Sequence, residues 1–315
     1  AILNDHDNNR ENDQVACIIQ DRWSSFCTGY PARSKNATDT RIAFQRFLGG
    51  HNLPKCKHVY TDGSKEFRKA LRQLCIIHDT STPHRPQTNG VAERAVRRTK
   101  EGTACVLAQS GLTNDWWPEA LRCYCHLHNI VDVLADGKTP WEKRFGAPFD
   151  GPTIPFGARL KYFPITAKDK KRTHKFADKL LPAIFIGYEL QAGGGWGSRD
   201  LLIVDLEELA NAPTTRDVYI KRFKHTEVQL DLDENKRFVF PCALEKDAAP
   251  QPTGKSSKFP AKKVFTGNLK SLLDPDFDEE AHMENDPEVD EPDPEFEDES
   301  DEIPPLENLH PDIGH

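Results

Sequence analysis

The sequence predicts a mixed α/β region, then a small β-barrel, then a disordered acidic tail. Strand-like and helix-like segments alternate over residues 1–145, which is typical of a sheet flanked by helices. From Pro155 the segments are short and β-like, which favours a barrel. Beyond about residue 245, proline and charged residues dominate, which indicates disorder. The predicted domains are residues 1–150, 155–230 and 245–315.

Local signals place each element of the α/β region. Two apolar runs, at residues 15–20 and 26–32, predict a β-hairpin. Asn36 or Thr38 is expected to cap a helix that continues to Leu48 and ends at Gly49-Gly50. The other expected elements here are two strands, at 58–61 and 75–77, and three helices, at 66–74, 90–109 and 116–133. The β-like runs of the barrel are 158–165, 183–190, 201–206 and 218–223.

The charge is distributed very unevenly along the chain. Residues 271–315 contain 19 Asp or Glu and no Lys or Arg, which leaves 42 basic and 31 acidic residues over 1–270. The net charge of −8 therefore combines a basic body with an acidic tail. This distribution argues against an ordinary acidic enzyme and favours a polyanionic partner such as nucleic acid.

Several classes of protein are excluded by simple patterns. No apolar run approaches the roughly eighteen residues that a membrane span needs, so no membrane partner is expected. Residues 4–14 are polar and charged, unlike a secretory signal, and the eight cysteines lack framework spacing. We therefore expect free thiols in a reducing compartment and a protein that is not secreted. The first residue is Ala1 rather than Met, so we expect the natural start to lie upstream.

Asp62 and Glu93 are the main candidates for chemistry. Asp62 closes a predicted strand, and Glu93 lies in the first turn of the long helix, where the helix dipole favours a carboxylate. Helical spacing puts Glu93, Arg97 and Lys100 on one face, and a buried stripe is expected at Ala92, Val96, Thr99, Thr103 and Val106. A carboxylate continued by cations suits a phosphate backbone that passes a metal-binding acid. Position alone, however, favours an ordinary structural role for this pair.

The residues around this pair resemble a known family. Two strings are similar to the integrase core of retrotransposons and retroviruses. The first is Thr61-Asp62-Gly63-Ser64-Lys65-Glu66-Phe67. The second runs from Pro83 to Arg94 and contains Pro86-Gln87-Thr88-Asn89-Gly90-Val91-Ala92-Glu93-Arg94. The similarity continues through Trp116-Trp117-Pro118, Asn129, Thr139-Pro140-Trp141-Glu142-Lys143-Arg144-Phe145-Gly146, Ile184-Phe185-Ile186-Gly187-Tyr188 and Arg216-Asp217-Val218. This order resembles copia-type elements, whose core is followed by an SH3-like barrel. The resemblance covers about residues 10–225.

The resemblance implies a fold, a chemistry and a set of site residues. The fold would be an RNase H-like core, in which three carboxylates hold Mg²⁺ or Mn²⁺ for DNA 3′-end processing and strand transfer. Asp62 and Glu93 match two of these catalytic ligands. The implied DNA-binding residues are Gln87, Asn89, Arg94, Arg97, Arg98 and Lys100. DNA and further copies of the chain would be its partners, with no small-molecule substrate, and it would act in the nucleus after a cytoplasmic particle stage.

Two departures from the family pattern concern the metal site. Thirty residues separate Asp62 from Glu93, which is shorter than the usual spacing in that family. The family's sheet opens with three strands and carries its first Asp on the first of them, whereas only two strands precede the first helix here. We therefore expect the first catalytic Asp to lie upstream of Ala1. Asp21 is the obvious substitute within the chain, and Asp5 and Asp7 are weaker ones; the sequence leaves open whether Asp21 replaces the first Asp.

Two other groups of residues are candidates for binding. Cys123, Cys125, His126 and His128 resemble a metal cluster, but on one helix they point in different directions, which favours a buried helix face. The basic loop, defined as Lys168, Lys170, Lys171, Arg172, Lys175 and Lys179, is equally compatible with a solvated loop, a nuclear-import patch or a DNA contact.

These patterns support two functional hypotheses. The first is an integrase-like fragment of a retrotransposon polyprotein. The second is a non-catalytic nucleic-acid-binding protein, either a decayed or a co-opted copy with an incomplete triad. The residue context upstream of Ala1 discriminates between them, because an Asp on a strand there would restore the enzyme.

Overall fold

The computed structural model describes residues 10–82, 89–173, 176 and 179–248. Its first elements are the antiparallel strands β1 (Val15–Gln20) and β2 (Cys27–Ala32), paired from Val15↔Ala32 to Gln20↔Cys27. The predicted hairpin is therefore confirmed. Helix α1 (Ala37–Asn52) begins at Asn36, whose side chain accepts a hydrogen bond from the backbone N of Asp39 at 2.8 Å. Gly49 takes a φ of 65° and kinks the helix rather than ending it.

A β-α-β unit follows and carries the residues of most interest. It consists of strand β3 (Val59–Thr61), helix α2 (Lys65–Gln73) and strand β4 (His78–Thr80), with β3 and β4 parallel. The predicted buried strand at 75–77 is wrong, because Cys75 takes a left-handed φ of 54° and Ile77 is 68% exposed. The strand begins at His78 instead. A parallel pair joined by a helix requires this turn between α2 and β4.

Three further helices complete the α/β region: α3 (Gly90–Ser110), α4 (Trp117–Val131) and α5 (Pro140–Phe145). Gly111 ends α3 with a φ of 73°, as the sequence predicted. The buried face of α3 is formed by Ala95, Thr99, Thr103, Leu107 and Ser110. The expected stripe was therefore wrong at Ala92, Val96 and Val106, which are only half-buried. The two threonines tolerate burial because each hydroxyl donates to the carbonyl four residues earlier, at 2.7 Å.

The C-terminal part of the described chain is a five-stranded antiparallel sheet. Its elements are β5 (Arg159–Tyr162), α6 (Ala167–Lys170), β6 (Leu181–Tyr188), β7 (Asp200–Asp205), α7 (Leu206–Asn211), β8 (Lys221–Lys224), β9 (Val228–Leu230) and α8 (Pro241–Ala248). The strand order is β8-β7-β6-β5-β9. The predicted fold class, a mixed sheet flanked by helices, is confirmed, whereas the SH3-like barrel stays a prediction.

The α/β region and the five-stranded sheet share one hydrophobic core. His126 of α4 packs against the rings of Trp141, Phe149 and Tyr188, at centroid distances of 5.5, 5.3 and 4.3 Å. Arg144 of α5 donates from Nε to the carbonyl of Gly193 at 3.1 Å, so the loop after β6 is tied to the helical layer. The predicted boundary near residue 150 and the other domain limits stay predictions.

Two other predictions concern the ends of the chain and the membrane. Within the described ranges, no helix has the length and apolar character needed to cross a membrane. The tail predicted to be disordered from residue 245 lies outside the described residues, apart from the last turn of α8.

Candidate metal and nucleic-acid site

Asp62 lies in the turn between β3 and α2, where the strand ends and the helix begins. Its Oδ1 accepts hydrogen bonds from the backbone N of Ser64, at 3.3 Å, and from the Ser64 hydroxyl. Ser64 directly precedes α2, but its hydroxyl donates to Asp62 and does not cap the helix. The carboxylate is half-buried. No described residue donates a hydrogen bond to Oδ2, so one carboxylate oxygen is left for an external partner.

Two hydrogen-bonded pairs of polar side chains lie along the parallel strands β3 and β4. The Thr61 hydroxyl lies 2.7 Å from His78 Nε2, and His58 Nε2 lies 2.9 Å from Asp79 Oδ2. Burial lowers the pKa of His78, and the positive charge of Arg68 lowers it further. His78 was not among the residues predicted from the sequence. The sequence feature that could have identified His78 is the polar pair His78-Asp79 directly after an apolar run, because such a pair places an imidazole and a carboxylate at a strand end.

Asp21 lies in the turn between β1 and β2. Both Asp21 carboxylate oxygens cap the β1–β2 turn: Oδ1 accepts from the backbone N of Trp23 at 3.3 Å, and Oδ2 accepts from Ser24 N and Oγ at 3.2 and 2.5 Å. Both oxygens are thus engaged within this turn, and the expectation that the first metal-binding Asp lies upstream stays a prediction.

Glu93 is exposed in the first turn of α3, as the sequence predicted. Its backbone N donates to the carbonyl of Asn89 at 3.1 Å, and its carboxylate forms no ion pair with a described residue. Asn89 precedes the helix, and its Oδ1 is buried without a partner among the described groups. Gln87 lies outside the described residues, as does the whole segment 83–88.

The donor chemistry of Asp62 and Glu93 fits Mg²⁺ or Mn²⁺, because these ions prefer hard carboxylate oxygens. The described part of the chain, however, contains no group of three or more His, Cys, Asp or Glu residues that could hold a metal ion. Asp5 and Asp7 lie outside the described residues. Asp62 and Glu93 thus have the chemistry of metal ligands, and a metal ion shared by the two stays a prediction.

The cations of α3 divide into two groups. Arg94, Arg97 and Lys100 are exposed, which is compatible with contacts to phosphates. Arg98 is turned inward, because its Nε and Nη2 atoms are buried and its charge lowers the pKa of the buried Cys27 thiol. Two of its guanidinium nitrogens are thus withdrawn from solvent, and the predicted DNA contact of Arg98 stays a prediction.

The cysteines and histidines of α4 point into different surroundings. The Cys125 thiol faces Cys27 of β2, and the hydrogen bond between them lowers the pKa of the Cys27 thiol. His126 lies among the rings of Trp141, Phe149 and Tyr188, and burial there lowers its pKa to about 3. His128 Nδ1 lies 2.5 Å from Asp132 Oδ2. This divergence agrees with the prediction that these side chains cannot surround one ion.

The basic loop is partly used for structure. Arg172 Nη1 lies 2.9 Å from Asp205 Oδ2, and its Nη2 lies 2.5 Å from Glu207 Oε2. Lys168 lies 3.4 Å from Glu208, and Lys170, Lys171 and Lys179 are exposed, while Lys175 lies outside the described residues. Arg172 is therefore held in ion pairs with Asp205 and Glu207. The solvated-loop, nuclear-import and DNA-contact hypotheses apply only to the exposed lysines.

Comparison with known proteins identifies retrotransposon polyproteins as relatives. The chain is 29% identical over 188 residues to the retrovirus-related Pol polyprotein from transposon RE2 of Arabidopsis thaliana, and 28% identical over 193 residues to that from transposon RE1. These matches cover 57% and 59% of this chain but only 12% of each relative. The Pol polyprotein from transposon TNT 1-94 of Nicotiana tabacum is 30% identical over 132 residues, which are 40% of this chain and 9% of that protein. The resemblance to retrotransposon polyproteins is thereby confirmed, and no family model matches the chain.

Solved integrases are also similar to this chain, at low scores. The catalytic core of BIV integrase gives a TM-score of 0.32 at 21% identity and covers 41% of this chain and 83% of that core. The HTLV-2 integrase catalytic core in complex with magnesium gives 0.35 at 19% identity, with 45% and 90% covered. The simian T-cell lymphotropic virus intasome structure gives 0.36 at 17% identity, with 74% and 77% covered. Scores of this size support no functional conclusion, so the function is inferred from the sequence relatives and from the residues of the site.

Proposed function

We propose that this chain is an integrase-like segment of a retrotransposon polyprotein, which acts on DNA by divalent-metal-dependent 3′-end processing and strand transfer. The observation that carries the proposal is the similarity to Pol polyproteins over more than half of the chain. The chain spans about an eighth of the length of these relatives, so its activity and its partners are part of the proposal.

The position of Asp62 supports this function. It lies at a strand end with one carboxylate oxygen free of described hydrogen bonds, while the Ser64 hydrogen bonds restrict its rotation. Glu93 is exposed in the first turn of a 21-residue helix. Rigid elements thus present both acids, as catalytic groups require.

The chemistry divides between the acids and the cations. A divalent metal bound by Asp62 and Glu93 would activate the attacking oxygen and stabilise the leaving oxygen of a phosphodiester. Arg94, Arg97 and Lys100 lie exposed along the same helix as Glu93 and would hold DNA phosphates. DNA ends, a target duplex and further copies of the chain are the proposed partners, and the nucleus is the proposed site of action.

A second function is favoured by one observation. The described residues contain no complete group of three metal ligands. A non-catalytic nucleic-acid-binding protein would keep the exposed cations of α3 and need no third acid. This alternative shares the DNA partner with the main proposal but not the reaction.

Strand transfer separates the two functions. A labelled duplex that mimics an element end would be incubated with a target duplex and Mg²⁺ or Mn²⁺. The proteins would be this chain, a version extended upstream, and the variants Asp62→Asn, Glu93→Gln and Glu101→Gln made in the extended version. We expect the extended protein to join the DNAs, Asp62→Asn and Glu93→Gln to abolish joining, and Glu101→Gln, an exposed acid of the same helix, to retain it.

The other outcomes are also informative. Joining by the unextended chain would support the integrase function and overturn the expectation that its third acid lies upstream. If neither version joins DNA while both bind it with steep salt dependence, the non-catalytic function is correct. If neither binds DNA, both proposals fail.

A further inference from the structure

The turn that carries Asp62 is held by hydrogen bonds from the side chains around it. The Ser64 hydroxyl donates to Asp62 Oδ1, and Arg68 Nη2 donates to the carbonyl of Gly63 at 2.7 Å. The Thr61 hydroxyl donates to the carbonyl of Asp62 at 2.6 Å. The first contact restricts the carboxylate, and the other two restrict the backbone that follows it. The proposed function assigns a role to Asp62 and none to the group that holds the Thr61 hydroxyl.

His78 holds the Thr61 hydroxyl from the neighbouring strand, β4. Its Nε2 lies 2.7 Å from Thr61 Oγ1. A hydroxyl has one proton to donate and two lone pairs that accept. Because the Thr61 proton is directed to the carbonyl of Asp62, the hydroxyl accepts from His78, and the imidazole carries its proton on Nε2. A chain of hydrogen bonds therefore runs from β4 through Thr61 to the backbone of Asp62.

The pairing of β3 with β4 explains why these two side chains meet. In the parallel register His78 lies opposite the residue two positions before Thr61, so both side chains are on one face of the pair. The other face carries His58 and Asp79, whose side chains are exposed and lie 2.9 Å apart. His58 thus bonds away from the turn, whereas His78 bonds into it. The two strands are joined by their backbones, which neither side-chain pair provides.

The orientation of the Asp62 carbonyl affects the carboxylate of the same residue. The carbonyl begins the link through Gly63 to Ser64, so its direction determines where the two Ser64 donors lie relative to Asp62 Oδ1. A carbonyl released from the Thr61 hydroxyl would let this link rotate. The carboxylate would then lose the arrangement that leaves its other oxygen, Oδ2, free of described hydrogen bonds.

We propose that His78 is a positioning residue for Asp62: its Nε2–H holds the Thr61 hydroxyl against the Asp62 carbonyl and so keeps Oδ2 available to a divalent metal. This inference rests on the proposed function, because a metal at Asp62 is part of it. Partners that orient a metal-binding side chain from behind are commonly worth about 10–100-fold in metal affinity or activity. His78 acts only through Thr61, and it needs to contact neither the metal nor the DNA.

Strand transfer over a range of Mg²⁺ concentrations tests this role in the version extended upstream. His78→Leu removes the donor, whereas His78→Gln offers an amide N–H in place of Nε2–H. His58→Leu is the matched control, because it removes a histidine from the other face. We expect His78→Leu to slow single-turnover joining by about tenfold or more and to raise the Mg²⁺ concentration for half-maximal joining. His78→Gln should recover most of the rate, and His58→Leu should match wild type.

Further variants separate positioning from a general loss of structure. The melting temperature and duplex affinity of His78→Leu should match those of His58→Leu, because neither histidine is a proposed DNA contact. Thr61→Val removes the hydroxyl and keeps the shape of the side chain, so it should slow joining as His78→Leu does. The double variant should be no slower than either single variant, because both substitutions break one chain of hydrogen bonds.

A second measurement needs neither metal nor DNA. In this chain labelled with ¹⁵N at histidine, at a pH of about 8 where an ordinary imidazole is neutral, NMR should show the proton of His78 on Nε2. Thr61→Val should shift that resonance and leave the resonances of His58 nearly unchanged. A proton on Nδ1, or a resonance that Thr61→Val leaves in place, would overturn the inference without affecting the proposed function.

The joining assay distinguishes failure of this inference from failure of the proposed function. If wild type joins DNA and His78→Leu joins it equally fast, the positioning role is wrong and the proposed function stands. A slow His78→Leu variant that also melts earlier and is not recovered by His78→Gln would assign His78 a structural role instead. If the extended wild type does not join DNA, the proposed function fails and this inference fails with it.

Discussion

Replacing Asn129 should show how strongly α4 holds the edge of the hairpin. Asn129 is 2% exposed, and its side chain pairs with the backbone of Cys27 in both directions. Its Oδ1 accepts from Cys27 N at 2.9 Å, and its Nδ2 donates to Cys27 O at 2.7 Å. Cys27 begins β2, whose only partner strand among the described residues is β1, so the amide takes the place of a neighbouring strand.

The magnitude can be worked from the two backbone groups that Asn129→Ala would leave unpaired. Each buried unsatisfied group costs about 1–3 kcal/mol, so the free energy of unfolding should fall by about 2–6 kcal/mol. For a unit of this size the melting temperature would fall by roughly 2–4 °C for each kcal/mol. Urea denaturation followed by circular dichroism measures the difference directly.

Two variants make this prediction specific. Asn211→Ala removes an exposed side chain whose Nδ2 bonds Glu207 O at 2.8 Å, and it should cost less than about 0.5 kcal/mol. Asn129→Asp keeps the shape but, when ionised, cannot donate to Cys27 O, so its stability relative to wild type should improve as pH falls and the carboxyl is protonated. A loss below about 1 kcal/mol for Asn129→Ala would refute the assigned role of the amide.

Three further predictions concern packing, a buried ion pair and pH. Gly102→Ala should lower the free energy of unfolding, measured by urea denaturation, by about 1–3 kcal/mol, because a Cβ there would lie 2.0 Å from the Tyr124 ring. A variant more stable than wild type would contradict this packing. Lys221→Met should cost about 1.5–3 kcal/mol, because it removes the nearer cation of the buried Asp169, at 3.1 Å, and leaves only Arg172 at 3.6 Å. Arg237→Met in an exposed pair should cause no measurable loss, and equal effects of the two variants would refute this prediction. Burial raises the pKa of Glu119 above 4.5, so the folded state binds this proton more tightly than the unfolded state, and stability is lost as pH rises through the raised pKa. Glu119→Gln should therefore flatten the dependence of melting temperature on pH in this range. An unchanged pH profile of the variant would contradict the prediction.

Local signals account for most of the predicted elements. The hairpin, the Asn36 cap and Gly111 were found because each depends on residues within a few positions of one another. Strand β4 was misplaced because the apolar Cys75-Ile76-Ile77 supplies a turn and one core contact, and only pairing with β3 defines the strand. The buried pair Lys221–Asp169 joins residues 52 positions apart, which no local pattern reveals.

The candidate site could be predicted only in part. The strand-end position of Asp62 and the first-turn position of Glu93 followed from turn and capping signals. The inward orientation of Arg98 did not, because its helical position is intermediate and the neighbouring Cys27 comes from a distant strand.

Metal-directed backbone cleavage tests most directly whether Asp62 and Glu93 bind one divalent metal. Fe²⁺ would replace Mg²⁺ at carboxylate oxygens, and with ascorbate and peroxide it would release radicals that cut the chain near the ion. We expect cuts near both residues 62 and 93, both lost in Asp62→Asn and in Glu93→Gln, and both retained in Glu101→Gln. Cuts at only one of these positions, or cuts that persist in either variant, would contradict a shared metal and with it the proposed chemistry.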